Sequence, residues 1–357
     1  MKSGKVKWFS VTTALILLFT LVWNMSGTFQ DIIRITSIFS ATAVLPNGSS
    51  SWYKEKEHSS VSAPNQSSSS QNSDSSHNSS SFDTSTLPPE RPTDVETGDI
   101  KTTMLSVTSA NTTYDNLHVS NKTGKTIDIE NLLGQGLPFR IEETDQPQVL
   151  IYHTHATESY TAGDYGYYIK SDSTRSKDTS KNTVRVGQAI ADILNSNGIV
   201  TINDDTLHDA DAYTGSYDRS AATVQEYLKK YPSIKVIIDG HRDAITQSND
   251  VKVKPTAEVN GKKAAQVMVL AGCETGDITD FPNWEQNLRF NLLLQRQLES
   301  DYPGLARAMS FKACKYNFDI MNGSILLEIG SEANTLEEAV YSGELIGNAL
   351  VKVLKGT

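Results

Sequence analysis

From Gln148 to the C-terminus, short apolar runs alternate with segments of helical periodicity, and this alternation constrains the fold more than any other feature. The runs of strand character read QVLIYHTH, IVTIND, IKVIIDGHRDA, AAQVMVLAG and SILLEIG. The helical segments read TVRVGQAIADILNSNG, RSAATVQEYLKKYP, WEQNLRFNLLLQRQLESDYPG and NTLEEAVYSGELIGNALVKVLKG. Strands that are apolar almost throughout are typical of a parallel sheet covered by helices. Residues 147–357 are therefore predicted to form an α/β domain, with a mostly parallel sheet and helices on both faces.

The last helical segment carries signals for both of its ends. Thr335 and Glu338 have the spacing of a capping box, in which each side chain bonds the backbone N–H of the other residue. Gly356 follows the last apolar position, where helices commonly end in a left-handed residue. We expect the helix to begin beside Thr335 and to end at Gly356.

At the N-terminus, three lysines precede an apolar run from Trp8 to Trp23. A positive flank before an apolar segment indicates a signal peptide or a transmembrane helix. The run is near the lower limit of about 17 to 25 residues for a spanning helix. No small-residue cleavage site follows directly, so an uncleaved anchor over residues 1–30 is favoured, with cleavage left open. The lysines predict a single-pass cell-membrane protein whose N-terminus is cytoplasmic and whose folded domain is extracytoplasmic.

The segment after the anchor has a different composition. Residues 31–99 include a long serine- and asparagine-rich stretch with almost no large apolar side chains. Such a stretch cannot bury enough surface to offset its conformational entropy, so we predict a disordered, flexible tether. Residues 100–146 are weakly patterned and are assigned to a lead-in segment. The formal net charge of −10 argues against nucleic acid as a partner.

The chain has two cysteines, Cys273 and Cys314, and neither belongs to a Cys-x-x-Cys pair. A cysteine zinc site is therefore not supported. Two readings stay open, a disulfide in an extracytoplasmic domain or two isolated apolar side chains.

Polar side chains follow or interrupt three of the predicted strands, at the edge where ligands gather in α/β sheets. These residues are His153, His155 and Glu158 after the first run, Asp239, His241, Arg242 and Asp243 at the end of IKVIIDGHRDA, and Glu328 within SILLEIG. A catalytic zinc site uses three imidazole or carboxylate ligands and keeps a fourth position open. The pattern therefore predicts Zn²⁺ held by His155, Glu158 and His241, with Glu328 as the general base and then the general acid.

The neighbouring residues leave alternatives. Either His153 or His155 can be the first ligand, and the other would then support the site or contact the substrate. Glu328 could instead form a structural ion pair with Arg242, because an unpaired carboxylate in an apolar strand is costly. Three residues beside the second histidine are assigned to ligand support or substrate contact: Asp239, Arg242 and Asp243.

Several long motifs occur in an order that resembles one known family. They read VLIYHTHATESY, NTVRVGQAIADILNSNGI, HDADAYTGSYDRSAATVQEYLKKYPSIKVIIDGHRDA, YPGLARAM and LLEIGSEANTLEEA. Together they resemble the stage II sporulation protein P family over most of the chain after about Gln148, and the anchor and tether resemble its plan as well. The resemblance implies a fold like that of the zinc-dependent N-acetylmuramoyl-L-alanine amidases.

The resemblance also implies an activity and partners. The implied protein is a peptidoglycan hydrolase that acts during forespore engulfment and cuts the amide between the lactyl group of the glycan and L-alanine. Cleavage of peptide cross-links is left open. The implied partners are the glycan-cleaving protein D and the membrane protein M of the same sporulation stage.

Carried onto this sequence, the amidase pattern places its first histidine on His155 or His153, its second on His241 and its catalytic glutamate on Glu328. The glutamate ligand of ordinary amidases lies farther beyond the first histidine than Glu158 does, which is a departure from the pattern.

Two other functions remain as alternatives. One is a carboxypeptidase-like zinc peptidase of stem peptides, which would need a cation such as Arg185 or Arg242 for the terminal carboxylate. The other is a non-catalytic scaffold that binds the cell wall.

Overall fold

The computed structural model describes residues 90–356. The predicted anchor, residues 1–30, and most of the predicted tether, residues 31–99, lie outside the described residues. Between residues 90 and 356, no helix combines the length and apolar character needed to cross a membrane. The proposed domain boundaries stay predictions.

Strands and helices alternate through most of the described chain. In chain order the strands are β1 (Thr97–Thr103), β2 (Thr112–Tyr114), β3 (Leu117–Asn121), β4 (Val149–Tyr152), β5 (Tyr167–Ile169), β6 (Thr201–Asn203), β7 (Val236–Asp243), β8 (Thr246–Gln247), β9 (Val251–Val259), β10 (Lys262–Ala265), β11 (Val267–Cys273), β12 (Met309–Ala313) and β13 (Ser324–Ser331). The helices are α1 (Ile129–Gly134), α2 (Thr183–Ser196), α3 (Ser216–Lys230), α4 (Trp284–Asp301) and α5 (Leu336–Lys355).

Among the described residues, the main sheet has eight strands in the order β2-β3-β12-β11-β13-β7-β4-β6. Along β4, Val149 and Ile151 join the larger apolar core, whereas Leu150 and Tyr152 join a smaller one. This alternation is the two-residue period of a strand buried on both faces. The larger core includes side chains of α2, α4 and α5, and the smaller core includes Val224 of α3, so helices cover both faces.

The strand directions correct the prediction of a mostly parallel sheet, because the fold is mixed. In the main sheet, β13, β7, β4 and β6 are mutually parallel, but β11 runs antiparallel to β13 and β2 antiparallel to β3. Parallel neighbours need a crossover, usually a helix. The chain between β7 and β11 forms β8, β9 and β10 and no α-helix, so β11 can enter the sheet in the opposite direction.

A second, smaller sheet accounts for the strands between β7 and β11. Its order is β10-β9-β1-β5, with β8 also paired to β9. The β1–β9 pairing is parallel, and the other pairings of this sheet between described residues are antiparallel. The predicted lead-in segment supplies β2, β3 and α1, and β3 joins the main sheet beside β12. Cys273 and Cys314 are buried and carry no disulfide in the described chain.

Candidate active site

Three side chains converge at the edge of the main sheet where β4 and β7 end. Among the residues that the structure describes, His155, Glu158 and His241 form one group whose possible ligand atoms all lie within 4.8 Å of one another. His155 Nδ1 lies 3.7 Å from Glu158 Oε1, and His241 Nδ1 lies 3.5 Å from Glu158 Oε2. They meet because Tyr152, the last residue of β4, pairs with Asp239 of β7.

The donor set fits a divalent metal such as zinc. Ligand atoms on a tetrahedral zinc with bonds of about 2.0–2.1 Å lie about 3.4 Å apart, close to the two nitrogen–oxygen distances above. All three residues are buried. Within residues 90–356, Nε2 of His155 has no hydrogen-bond partner, whereas Nε2 of His241 lies 3.0 Å from Asp239 Oδ1. Buried polar atoms without partners cost about 1–3 kcal/mol each, and such atoms at functional sites can indicate an absent ligand.

The protonation states also suit a cation. Burial lowers the pKa of His155 to about 4 despite the nearby Glu158 charge, which leaves the imidazole neutral. Burial alone would raise the pKa of Glu158, but the hydrogen bond and charge of His241 hold it well below its usual range. Burial also opposes the charge of His241, yet Asp239 and Glu158 raise its pKa well above the usual value. A bound cation would take the place of that proton, since ligands bind metals in their deprotonated form.

Two carboxylates are fixed by the backbone around this group. The N–H of Arg242 donates to Glu158 Oε2 at 3.2 Å. Asp239 accepts from the N–H of Thr154 at 2.9 Å and from its hydroxyl at 2.7 Å. Its Oδ1 also lies 3.0 Å from His241 Nε2, although the pair lacks the angle of a hydrogen bond. Asp239 thus lies at the ring nitrogen of His241 opposite the one that faces Glu158.

Glu328 lies on β13 directly opposite His241 on β7, so both side chains point to the same face of the sheet. The carboxyl is buried, and within the described chain its Oε2 has no hydrogen-bond partner. Burial raises the pKa of Glu328 to about 8, and the charge of Asp243 adds to the effect. A carboxyl that exchanges a proton near neutral pH has the property required of a general acid and base.

The structure groups His155, and not His153, with the other two predicted ligands. His153 Nδ1 donates to the carbonyl of Gly240 at 2.8 Å, and Nε2 lies 3.2 Å from Asn203 Oδ1. Both ring nitrogens therefore face protein oxygens. His153 occupies a fully buried position behind the strand ends.

Arg242 and Asp243 were predicted to support the ligands or contact the substrate, with an ion pair between Arg242 and Glu328 as an alternative. In the structure both residues bond other groups. The guanidinium of Arg242 donates to the carbonyls of Ser159, Thr174 and Asp243. It therefore holds the loop after Glu158, and these bonds do not join it to Glu328. The carboxylate of Asp243 pairs with Arg307, at 2.9 Å from Nη2.

Three site residues were not predicted from the sequence. Arg175 forms an ion pair with Asp209, lies 3.6 Å from Glu158 Oε1 and places its guanidinium 5.3 Å from the ring centroid of Tyr213. Tyr213 stacks on the ring of His155 at 4.4 Å. The signal available in the sequence was the density of aspartate and tyrosine in HDADAYTGSYDRS, one of the family-like motifs. Arg175 has no comparable signal.

The chain is similar to known proteins in sequence and in structure. A family model described as "Stage II sporulation protein P (SpoIIP)" matches residues 39–351. The curated "Stage II sporulation protein P" of Bacillus subtilis strain 168 is 31% identical over 205 residues, which are 54% of this chain and 48% of that protein. The chain thus matches about half the length of that relative.

Among solved structures, the amidase AmiC2 of Nostoc punctiforme is 14% identical with a TM-score of 0.34, covering 59% of this chain and 96% of that one. The CwlD amidase of Clostridioides difficile, solved with the GerS lipoprotein, is 14% identical with a TM-score of 0.35, covering 58% and 97%. The amidase Ami1 of Mycobacterium smegmatis is 12% identical with a TM-score of 0.35, covering 59% and 98%.

Proposed function

The chain belongs to the stage II sporulation protein P family, and from that premise we propose that it is a zinc-dependent N-acetylmuramoyl-L-alanine amidase that hydrolyses peptidoglycan during forespore engulfment. The observation that carries the proposal is the convergence of His155, Glu158 and His241 opposite the buried carboxyl of Glu328. A metal-ligand set beside a carboxyl whose pKa is raised to about 8 suits amide hydrolysis.

In this proposal His155, Glu158 and His241 hold the ion. Zinc, when bound, supplies a Lewis acid that activates water near neutral pH and polarises a carbonyl oxygen. Glu328 accepts the proton of the attacking water and passes it to the amine of L-alanine as the amide bond breaks. The products are the lactyl carboxylic acid of the glycan and a free L-alanine amine, so one water is consumed for each bond cut.

Asp239 and Arg242 orient the ligands in the same scheme. Asp239 fixes the ring of His241 from behind, and the N–H of Arg242 holds one oxygen of Glu158. The roles are those of groups that set the direction and basicity of metal ligands.

The proposal extends to place and partners. Residues 1–30 would anchor the chain in the membrane with the catalytic domain outside the cytoplasm, and residues 31–99 would let it reach an insoluble mesh. Proteins D and M of the same sporulation stage are proposed partners, on the family resemblance.

The test is digestion of purified cell walls by the full chain with zinc, followed by mass spectrometry of the products. We expect new free amines on L-alanine, and a loss of about 10²–10⁴-fold in rate for Glu328→Gln. Glu299→Gln is the matched control, because Glu299 is a carboxyl of α4 that bonds the backbone of Gly304 instead of the site. Loss of terminal D-alanine would point to the carboxypeptidase alternative, and intact walls that still bind the protein would point to the scaffold.

A further inference from the structure

A cavity of about 300 Å³ lies beside the loop that follows Glu158. Ser159, the residue after this predicted ligand, lines the cavity, and consecutive Cα atoms are about 3.8 Å apart. Thr174 lines it as well, and the guanidinium of Arg242 donates to the carbonyls of Ser159 and Thr174. The N–H of Arg242 also holds Glu158. Arg242 therefore ties the cavity wall to the candidate metal site.

Four tyrosines give this cavity an aromatic lining, and together they are here called the tyrosine pocket: Tyr160, Tyr165, Tyr167 and Tyr168. The rings of Tyr165 and Tyr167 lie 6.0 Å apart. Tyr165 is 38% exposed, so its ring is accessible to a ligand. Small-ligand sites are cavities of about 300–1,000 Å³ with apolar and aromatic linings and a few polar groups. The tyrosine pocket has the size and the lining of such a site.

A lysine of the second sheet reaches the tyrosine pocket beside a glycine. Gly98 of β1 pairs with Tyr168 of β5, and Ile100, two residues later, pairs with Lys252 of β9. Residues two apart on a strand share a face, so Lys252 and Tyr168 lie on the same face of the second sheet. A Cβ on Gly98 would overlap the Tyr168 ring. The glycine therefore lets the ring lie against β1, where the ammonium of Lys252 is 4.1 Å from the ring centroid.

The charged groups of the cavity favour a neutral ligand. Lys252 contributes one positive charge, and Glu332 and Asp172 contribute two negative charges. Glu332 is buried, and its carboxylate accepts from the N–H of Ile245 at 3.2 Å. Charges in such places are weakly screened, so Lys252 would repel a cation and Glu332 would repel an anion. A hydroxyl both donates and accepts hydrogen bonds, so a neutral polyhydroxy ligand can use the ammonium and the carboxylates together.

We propose that the tyrosine pocket, with Lys252 and Glu332, is a subsite for a neutral saccharide unit of the glycan strand. The subsite rests on the proposed amidase function, because that function brings a glycan to the metal group. The strand continues beyond the unit whose peptide is cut, so a neighbouring unit can enter a cavity that begins one residue from Glu158. The apolar face of the sugar ring packs on the tyrosine rings, and its hydroxyls bond the charged groups.

The binding test is calorimetry of the full chain with zinc, and the probe is a peptide-free tetrasaccharide of N-acetylglucosamine. Tyr165→Ala should raise the Kd about tenfold, a factor equal to about 1.4 kcal/mol, and Tyr165→Phe should retain binding because it keeps the ring. Tyr114→Ala is the matched control, because Tyr114 on β2 is 37% exposed and does not line the cavity. A retained thermal transition shows that each variant is folded.

The charge argument has its own probe, the same tetrasaccharide without its acetyl groups, which is cationic. We expect it to bind the wild type about tenfold more weakly, and Lys252→Gln should reduce that difference because the repulsion is removed. Tighter binding of the cationic probe by the wild type would contradict a pocket for neutral sugars.

A kinetic comparison links the subsite to hydrolysis. Tyr165→Ala should lower kcat/KM about tenfold, through KM, for a glycan strand that carries peptides, and should leave kcat/KM unchanged for an N-acyl-L-alanyl peptide without glycan. Equal losses on the two substrates would overturn the saccharide subsite, as would a wild type that does not bind the tetrasaccharide or a Kd that Tyr165→Ala does not change. Failure of the wild type to cleave either substrate would count against the amidase proposal, and the Kd ratio would still decide the role of the tyrosine pocket.

Discussion

At the scale of single residues, His153 fills space that two glycines leave open. A Cβ atom on Gly240 would lie 2.7 Å from Nδ1 and Cε1 of the ring, and one on Gly187 would lie 2.6 Å from Nε2. Real Cβ atoms almost never approach other atoms that closely, so any larger residue must displace the ring. A histidine whose two ring nitrogens face protein oxygens, with two glycines shaped around it, serves the packing of β4 against β7 and α2.

Gly240→Ala should therefore lower the free energy of unfolding by about 1–3 kcal/mol, the usual cost of overpacking a buried site. Urea unfolding of the variant and the wild type measures this difference in the free energy of unfolding. Gly134→Ala is the control, because no atom lies within 4 Å of a Cβ at that position. His153→Ala in the Gly240→Ala background should cost less than it does alone, because the clash is gone. Equal effects of the two glycine variants would contradict this account of the ring.

Asp239 gives a second prediction at this scale. Its carboxylate lies beside His241 Nε2, so Asp239→Asn should weaken zinc binding by about 10–100-fold, as loss of a group behind a metal ligand does. Competition with a chelator of known affinity measures the change. Asp239 also accepts two bonds from Thr154, and Thr154→Val removes one of them while keeping the carboxylate. If Thr154→Val weakens zinc binding as much as Asp239→Asn does, then zinc affinity depends on the hydrogen bond between Thr154 and Asp239 and not on the negative charge of Asp239.

At the scale of elements, a buried lysine joins the second sheet to α5. The ammonium of Lys254, on β9, lies 2.8 Å from Glu338 Oε1 and 2.8 Å from Asp164 Oδ1, and the side chain is only 1% exposed. Glu338 also closes the capping box with Thr335 at the start of α5. The carboxylate of Glu338 therefore caps the N-terminus of α5 and also neutralises the charge of Lys254 on β9.

Lys254→Met should lower the free energy of unfolding by about 3–5 kcal/mol, because it leaves the charge of Glu338 buried without its partner. Lys263→Met is the matched control. Lys263 also pairs with Asp164, at 2.7 Å, but its side chain is 59% exposed, and exposed pairs contribute at most about 1 kcal/mol. Denaturant unfolding of both variants tests the difference. A similar cost for the two lysines would mean that the buried pair is no stronger than an exposed one.

The sequence could predict those helices and strands whose own residues carry a capping motif or a long apolar pattern. The capping box of Thr335 and Glu338 and the left-handed Gly356 are confirmed at the two ends of α5. The strands β4, β7 and β13 each have a long buried run, so their pattern was strong. By contrast β5 is three half-buried residues and β8 is two exposed ones. Short strands that are only partly buried have no periodicity to read, so β5 and β8 were not predicted. The central strand β9 is nine residues long and mostly buried, and it was missed as well.

At the scale of the whole molecule, the prediction of parallel strands holds where the candidate site lies. The strands β4, β7 and β13 are adjacent and parallel, so their polar ends meet at one edge as expected. The prediction fails at β11, whose direction depends on how the chain between β7 and β11 folds. Arg175 and Tyr213 were missed for a similar reason, because loops far apart in sequence bring them to His155 and Glu158.

The proposed zinc should stabilise the whole fold, because the residues grouped to hold it follow two strands, β4 and β7, that are separate in the chain. A ligand that binds only the folded state, present at 100 times its Kd, adds about 2.7 kcal/mol to the stability. At about 2–4 °C per kcal/mol for a domain of this size, removal of zinc by a chelator should lower the Tm by roughly 5–10 °C. Scanning calorimetry of the full chain with and without chelator measures the shift.

His155→Ala should abolish most of that response, and His118→Ala should retain it, because His118 on β3 is not among the grouped ligands. The comparison separates metal binding from a general effect of losing a histidine. A Tm that does not change with zinc in the wild type would remove the reason for grouping His155, Glu158 and His241 around a cation. Nε2 of His155, which has no hydrogen-bond partner among the described residues, would then need water or substrate as its partner. Glu328 would have no activated water to deprotonate.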